Sequence, residues 1–207
     1  MVMVHSMAIT LLRHGLTEAN ERKAYLGWTD SPLSEGGKAD IQALAGCFDT
    51  YEHIISSDLP RCVTTAQLLF PTASIISDSA FREMNWGLWE GKTYEQLKED
   101  SYYQTWLENP MKADVPEGES YPVFSERIRE GWRNLNIGKV ENIVIMTHGG
   151  VVRELLARYA PEEKSFWDWQ IPHAGGYELF WNDKEAWRRG ERCTSLRVVP
   201  IMEKQNG

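Results

Sequence analysis

The chain has 207 residues, of which 42% are hydrophobic and 25% charged, and its formal net charge is −8 at pH 7. This length and composition predict one globular domain with a substantial core, and the acidic balance argues against a nucleic-acid or membrane-surface role. No apolar run approaches the length of a membrane span, and residues 1–7, which we expect to be flexible, lack the basic region of a signal peptide.

In the first half of the chain, short apolar runs alternate with segments of helical spacing. The predicted strands are residues 8–12, 53–57 and 75–76. Ser34 is a candidate N-cap for the first helix. The apolar face of that helix carries Ile41, Leu44, Ala45 and Phe48. A second helix is expected to begin at about Pro60, since proline suits the first helical turn.

The second half continues the alternation. Residues 93–96 fit a capping box that opens a short helix, and residues 110–118 are predicted to be a loop. The apolar positions of a longer helix are Phe124, Ile128, Trp132 and Leu135. A continuous apolar strand over residues 143–146 precedes another helix, which starts with Val151 and Val152. Residues 177–181 and 195–199 predict two late strands, arranged as a hairpin around a loop at 182–194.

This order of elements predicts an α/β fold. Strands that alternate with helices favour a three-layer αβα sandwich with a mostly parallel central sheet. In such sheets, ligands bind beyond the carboxyl ends of the strands. Arg13 and His14 follow the first predicted strand, and His148 follows the strand at 143–146. We therefore expect one site at this edge of the sheet.

The residues at these strand ends suit a phosphate group. Arg13 and Arg61 can bind phosphate oxygens with two hydrogen bonds each and stay charged at any working pH. The amides of Gly149 and Gly150 open a helix, which favours anions, and His148 and Asn20 add further donors. Together these groups predict a clamp for a dianion.

His14 and Glu83 suit chemistry on that phosphate. A neutral imidazole is a good nucleophile near pH 7, so His14 can form a phosphohistidine. Cationic donors can stabilise the charge of the transition state without a metal. Glu83 follows the third predicted strand and is the best candidate to donate a proton to the leaving group. Glu18 and Glu90 are weaker candidates for this role.

Four ordered blocks carry a family resemblance. They are Arg13-His14-Gly15 with residues 17–34, residues 56–66, residues 83–91 and residues 147–153. In this order they resemble the histidine phosphatase superfamily, also described as phosphoglycerate mutase-like. The resemblance implies a phosphohistidine at His14, a phosphate pocket formed by Arg13, Arg61 and His148, and proton transfer by Glu83. It also implies one such domain over residues 1–207, in which residues 84–120 form an insertion over the active site.

Within that superfamily the chain is most similar to the phosphatase branch. It lacks the long insertions of the cofactor-dependent mutases, and residues 89–91 and 106–120 resemble broad-specificity phosphatases and α-ribazole phosphatases. Residues 27–30, in contrast, resemble the mutases. The resemblance therefore implies a metal-independent phosphatase that acts on a small phosphomonoester, with α-ribazole phosphate as one candidate. A cofactor-dependent mutase and a non-catalytic module that binds a phosphorylated ligand remain as alternatives.

Several features are left open by the sequence. Cys47, Cys62 and Cys193 are odd in number and widely spaced, which favours reduced thiols in the cytoplasm. We expect no metal, no cofactor and no nucleic-acid partner. The expected partner is a small phosphorylated metabolite, and a homodimer is one possible assembly. His173 is expected at the rim of the site, and Trp28, Trp86 and Trp89 are candidates to line its mouth.

Overall fold

A six-stranded mixed sheet forms the centre of the protein. The chain is represented by a computed structural model that describes residues 6–51, 53–136, 138 and 140–200. The strands are β1 (Met7–Arg13), β2 (His53–Ser56), β3 (Ser74–Ser77), β4 (Asn142–Thr147), β5 (Gly176–Trp181) and β6 (Ser195–Val199). They lie in the order β3-β2-β4-β1-β5-β6. The first four strands are parallel, whereas β5 is antiparallel to β1 and β6 is antiparallel to β5.

Helices cover both faces of this sheet, which confirms the predicted α/β class. The α-helices are α1 (Glu18–Glu21), α2 (Glu35–Leu44), α3 (Pro60–Leu69), α4 (Tyr94–Leu97), α5 (Ser101–Glu108), α6 (Tyr121–Arg133), α7 (Gly149–Tyr159) and α8 (Lys184–Arg188). Short 3-10 helices span Ser79–Phe81, Gly87–Trp89 and Phe166–Asp168. No helix in the described part of the chain combines the length and apolar character needed to cross a membrane.

The alternation of side chains along β4 divides the core into two layers. Ile143 and Ile145 pack into a cluster with residues of α6 and α7, whereas Val144 and Met146 pack into a cluster with residues of α2 and α3. This follows from the two-residue period of a strand, which sends successive side chains to opposite faces. The central strands β1 and β4 are therefore largely apolar, and polar residues of the site follow their carboxyl ends.

Several local predictions are confirmed. Ser34 caps α2 by accepting a hydrogen bond from the amide of Gly37 (3.1 Å), and Pro60 occupies the first turn of α3. A capping box at Thr93 opens α4, and residues 110–118 form neither helix nor strand.

Other predictions are wrong in detail. The α2 helix ends at Leu44, because Gly46 adopts a positive φ of 88° that an α-helix cannot contain, so Phe48 lies outside it. The segment 182–194 contains α8 as well as a loop, since Asp183 caps a helical turn there. Met7 starts β1 and is fully buried, so flexibility cannot extend over all of residues 1–7. Residues 1–5, including His5, lie outside the described part.

We predict opposite effects for alanine at two adjacent glycines of α2. A Cβ at Gly37 would lie 2.2 Å from the carbonyl oxygen of Leu16, whereas the nearest atoms to a Cβ at Gly36 lie at 4.0 Å. Gly37→Ala should therefore destabilise the protein by roughly 1–3 kcal/mol through overpacking. Gly36→Ala should stabilise it by about 0.4–1 kcal/mol because the unfolded chain loses freedom. Urea unfolding measures both, and equal effects of the two substitutions would contradict the packing described here.

Candidate active site

The predicted site residues meet at the carboxyl ends of β1 and β4. His14 follows β1, and His148 follows β4 as the N-cap of α7. Their ring centroids are 5.2 Å apart. Arg61 joins them from the first turn of α3, and the side chains of His14, Arg61 and His148 are all buried. The sheet topology therefore brings together groups that lie up to 134 positions apart in the sequence.

Local hydrogen bonding fixes the tautomer of His14. Its Nδ1 lies 2.7 Å from the carbonyl oxygen of Gly15, which can only accept, so Nδ1 carries the proton. The other ring nitrogen, Nε2, then keeps its lone pair. Burial, together with the neighbouring Arg61 and Arg13 guanidiniums, holds the pKa of His14 well below its ordinary value. His14 is therefore a neutral imidazole with a nucleophilic Nε2 at neutral pH.

Two arginines, Arg61 buried and Arg13 half-buried, flank this imidazole, and neither has a carboxylate hydrogen-bond partner among the described residues. Arg13 donates from Nη1 to the carbonyl of Ile171 (2.9 Å), and Arg61 donates from Nη1 to the carbonyl of Thr29 (3.1 Å). The Nε of each arginine is buried and has no hydrogen-bond partner. Burial lowers the pKa of Arg61, and it lowers that of Arg13 to about 10, so both remain cationic near neutral pH. Each cation thus keeps a free donor for an anion.

Glu83 lies against the N-terminus of α7. Its Oε2 accepts the amide of Gly150 (2.9 Å), and a Cβ at Gly150 would lie 2.3 Å from Oε1. The Gly150 amide thus donates to Glu83 in this structure, and its place in a phosphate clamp stays a prediction. Gly149 packs against Arg13, where a Cβ would lie 3.4 Å from Nε. Glycine at both positions lets the helix N-terminus, the proposed acid and a cation approach each other closely.

The backbone of Glu83 is held from two sides. Its carbonyl accepts the indole N–H of Trp28 (2.9 Å) and an Nη2 donor of Arg127 (3.2 Å). Arg127 is itself paired with Glu119 through two hydrogen bonds, at 2.8 and 2.7 Å. Two hydrogen bonds to one carbonyl, from groups that are themselves fixed, hold this residue in position.

His148 is neutral and is positioned by Ser57 and Cys62, for which the sequence predicted no contact with it. Its Nε2 lies 2.9 Å from the hydroxyl of Ser57 and 3.4 Å from the sulfur of Cys62. Burial, followed by repulsion from Arg61, holds the pKa of His148 well below its ordinary value. Ser57 and Cys62 follow β2, in the block of residues 56–66, so their location was predicted although their contact with His148 was not.

Glu90 organises the loop that holds Arg61, a role that the sequence did not indicate. Its carboxylate accepts the amides of Gly27 (3.0 Å), Trp28 (2.8 Å) and Trp86 (3.1 Å). The carbonyls of Gly27 and Thr29 in turn accept the guanidinium of Arg61. Glu90 thus fixes the cation through the loop.

Asn20 and His173 lie at the rim of the same site. Together with Arg13 and Tyr25 they line one open cavity. The Oδ1 of Asn20 accepts the hydroxyl of Thr17 (2.9 Å) in a capping box, which leaves only its amide N–H groups to serve as donors. The ring of His173 lies 5.8 Å from that of His14, and burial followed by repulsion from Arg13 lowers the pKa of His173 to about 4. The rim position predicted for His173 agrees with this placement.

An aromatic cavity of about 240 Å³ opens beside Glu83. Its lining also contains Gly150 and Arg153. The aromatic lining residues are Tyr25, Trp86, Trp106, Tyr121, Phe124, Phe166 and Trp167. Residues 84–120 thus supply part of this wall. Of the three candidate tryptophans, Trp86 lines it, Trp28 lies under the guanidinium of Arg82 (4.8 Å), and Trp89 is buried in the core.

Comparison with known proteins gives a consistent family. The model of the histidine phosphatase superfamily (branch 1) matches residues 9–190. A protein of Escherichia coli O1:K1 / APEC, named as the probable phosphoglycerate mutase GpmB, is 32% identical over 154 residues, which cover 69% of this chain and 70% of the relative.

Solved structures named as a phosphatase and as a mutase share this fold. The α-ribazole phosphatase from Shigella flexneri superposes with a TM-score of 0.76 at 27% identity, covering 84% of this chain and 90% of that one. A phosphoglycerate mutase from Thermus thermophilus superposes with a TM-score of 0.68 at 29% identity, covering 92% of this chain and 98% of that one.

We predict that Glu90→Gln weakens anion binding although Glu90 is not expected to touch the anion. A glutamine side chain has one oxygen instead of two and adds an N–H₂ group that faces backbone donors, so residues 27–29 should no longer hold Arg61 firmly. Loss of a hydrogen bond to a charged group costs roughly 1.5–3 kcal/mol, which corresponds to an affinity for orthovanadate weaker by about tenfold or more. Calorimetric titration with orthovanadate measures this affinity.

Asp30→Asn is the matched control, since Asp30 is an exposed carboxylate in the same loop. It should bind orthovanadate within about twofold of the unmodified protein, because it holds no backbone amide. If both substitutions weakened orthovanadate binding equally, the effect of Glu90→Gln would come from lost negative charge alone. That result would contradict the proposed role of Glu90 in holding the loop around Arg61.

Proposed function

This chain belongs to branch 1 of the histidine phosphatase superfamily, and on that basis we propose that it is a metal-independent phosphatase of a small phosphomonoester. The observation that carries the proposal is a neutral, buried His14, fixed by Gly15, between two cations that each keep a free donor. Such a constellation suits nucleophilic attack on a phosphoryl group whose charge the arginines neutralise. The positive charge that a metal would supply comes from Arg13 and Arg61.

In the first step, the clamp holds the phosphate of the ester. Arg13 and Arg61 bind its oxygens, and His148 adds a neutral donor. The Nε2 lone pair of His14 attacks phosphorus while the bond from phosphorus to the ester oxygen breaks, and the electron pair leaves with that oxygen. Protonated Glu83 gives its proton to the leaving oxygen, so an alcohol departs and a phosphohistidine remains.

In the second step, water takes the place of the alcohol. Glu83, now a carboxylate, accepts a proton from water as its oxygen attacks phosphorus. The bond from phosphorus to Nε2 breaks, and the electron pair returns to the ring of His14. The products are inorganic phosphate and a neutral imidazole whose Nδ1 still donates to Gly15, so the enzyme is ready for another cycle.

The aromatic cavity supports a finer proposal for the leaving group. It lies beside Glu83, on the side from which the proton is delivered, and aromatic rings supply most of its wall. A flat, apolar leaving group would bury surface there. α-Ribazole phosphate, a ribose 5-phosphate that carries a flat aromatic base, fits this description, and we propose it as the substrate to test first.

The alternatives are less well supported by this lining. A phosphoglycerate would present a carboxylate to a cavity wall in which Arg153 is the one cationic side chain among the described residues. The Nε of Arg153 already donates to the backbone carbonyl of Trp169 (3.1 Å). A module that only binds a phosphorylated ligand would need neither the nucleophile His14 nor the acid Glu83. We therefore propose hydrolysis in preference to phosphoryl transfer to a second substrate.

The proposal predicts hydrolysis of p-nitrophenyl phosphate in the presence of EDTA and its loss in His14→Ala. No other described residue replaces the Nε2 nucleophile, so turnover should fall by roughly 10³-fold or more. A colorimetric assay measures it, with Cys47→Ala as a control because Cys47 is exposed and remote from the site. Turnover in His14→Ala equal to that of the unmodified enzyme would overturn the proposal, and so would formation of 2-phosphoglycerate from 3-phosphoglycerate at a higher rate than hydrolysis.

The finer proposal predicts a preference between two substrates with the same phosphate. Burial of an aromatic group is worth about 1.5–3 kcal/mol, so kcat/KM for α-ribazole phosphate should exceed that for ribose 5-phosphate by roughly tenfold or more. Phe166→Ala should lower the ratio of kcat/KM for α-ribazole phosphate to kcat/KM for ribose 5-phosphate, while the rate with ribose 5-phosphate stays unchanged. Equal kcat/KM values for the two substrates would reject the aromatic leaving group without rejecting the phosphatase.

A further inference from the structure

A second basic cavity lies far from the catalytic residues. It has a volume of about 370 Å³ and is formed where α6, α7 and α8 end. Five arginines line it: Arg129, Arg133, Arg158, Arg188 and Arg189. Among the described residues that line it there is no aspartate or glutamate, although the whole chain has a formal net charge of −8. We call it the arginine-lined cavity.

Buried donors without partners mark this cavity as they mark the catalytic one. Among the described residues, seven buried side-chain nitrogens have no hydrogen-bond partner. Two of them are the Nε atoms of Arg13 and Arg61. Three others belong to residues that line the arginine-lined cavity, namely Arg129 Nε, Trp132 Nε1 and Trp187 Nε1. Trp132 and Trp187 are only 2% and 6% exposed, so these donors carry a desolvation penalty that an acceptor in the cavity would relieve.

Local interactions explain only part of this arrangement. Cations are favourable at helix C-termini, and three such ends meet here. Each of the five arginines also has a carboxylate partner behind the lining: Arg129 and Arg133 pair with Glu126, Arg158 with Glu154 (3.1 Å), Arg188 with Glu185 and Arg189 with Glu191 (2.6 Å). The Glu154 side chain is only 4% exposed, but the other pairs are exposed, and exposed ion pairs are weak and exchange readily. Neither effect accounts for two buried indole donors without a partner.

We propose that the arginine-lined cavity binds a small oligophosphate anion, at a site separate from the catalytic one. Arginine guanidiniums match phosphate oxygens with paired hydrogen bonds, and several of them suit more than one phosphate group. Trp132 is stacked on Tyr159 at 4.7 Å between centroids, which engages one face of its ring. We therefore assign recognition to the phosphate groups and not to an attached aromatic base.

The cavity and the catalytic site lie at opposite ends of α7. Gly149 and Gly150 begin that helix beside Glu83, and Arg158 lies near its other end. At 1.5 Å per residue the two ends are roughly 14 Å apart. A ligand in the arginine-lined cavity would therefore not touch the phosphate held by Arg13 and Arg61.

Methylenediphosphonate tests the proposal, because its P–C–P linkage resists hydrolysis. Calorimetric titration at fixed ionic strength should resolve saturable binding that Arg133→Gln/Arg189→Gln weakens by tenfold or more. Both side chains are more than half exposed, at 62% and 56%, so folding should be retained. The control is Lys38→Gln/Lys98→Gln, which removes two exposed lysines elsewhere and should leave the affinity within twofold.

A second measurement on the unmodified protein locates the ligand. The protein is labelled with ¹⁵N-tryptophan, and the indole resonances of Trp132 and Trp187 are assigned through the variants Trp132→Phe and Trp187→Phe. Both resonances should shift saturably on addition of methylenediphosphonate, with the same dissociation constant that calorimetry gives. Unchanged affinity in the arginine double variant would overturn the proposal. Shifts confined to Trp28 and Trp86, which lie beside Glu83, would also overturn it, since they would place the anion in the catalytic site alone.

Discussion

The buried guanidinium of Arg61 is the interaction on which the rest of the site depends. A cation taken out of water is costly unless acceptors surround it. Here the carbonyls of Gly27 and Thr29 accept its hydrogen bonds, and Glu90 holds the loop that presents them. On the other side, the carbonyl of Arg61 accepts Thr65, whose hydroxyl accepts the amide of Gly15. One residue therefore joins the loops that carry the nucleophile and the clamp.

The same burial supports the proposed binding of phosphate. The acceptors around Arg13 and Arg61 are carbonyls, which satisfy hydrogen bonds without cancelling charge. The positive charge remains, and together with burial, which is the larger cause, it holds the pKa values of His14 and His148 well below their ordinary values. A bound phosphoryl dianion would supply the missing counter-charge and partners for the free Nε donors. The proposed ligand would thus complete the arrangement.

The sequence predicts the strand-end residues of this site well, for a physical reason. Parallel strands bring their carboxyl ends to one edge, so Arg13, His14 and His148 follow from the apolar runs that precede them. The antiparallel β5 was not distinguishable from a parallel strand by its apolar pattern. The role of Glu90 depends on four backbone amides, those of Gly27, Trp28, Thr29 and Trp86, which no side-chain pattern reveals. Likewise, the contacts of His148 with Ser57 and Cys62 arise only after β2 and β4 pair.

The central claim is that Nε2 of His14 carries the phosphoryl group. Rapid mixing with p-nitrophenyl phosphate, an alkaline quench that preserves phosphohistidine, and peptide mass spectrometry with ³¹P NMR test it directly. The account predicts a transient adduct on Nε2 of His14 that forms and decays at rates consistent with turnover. An adduct on Nδ1 or on another residue, or turnover without an adduct when breakdown has been slowed, would contradict it.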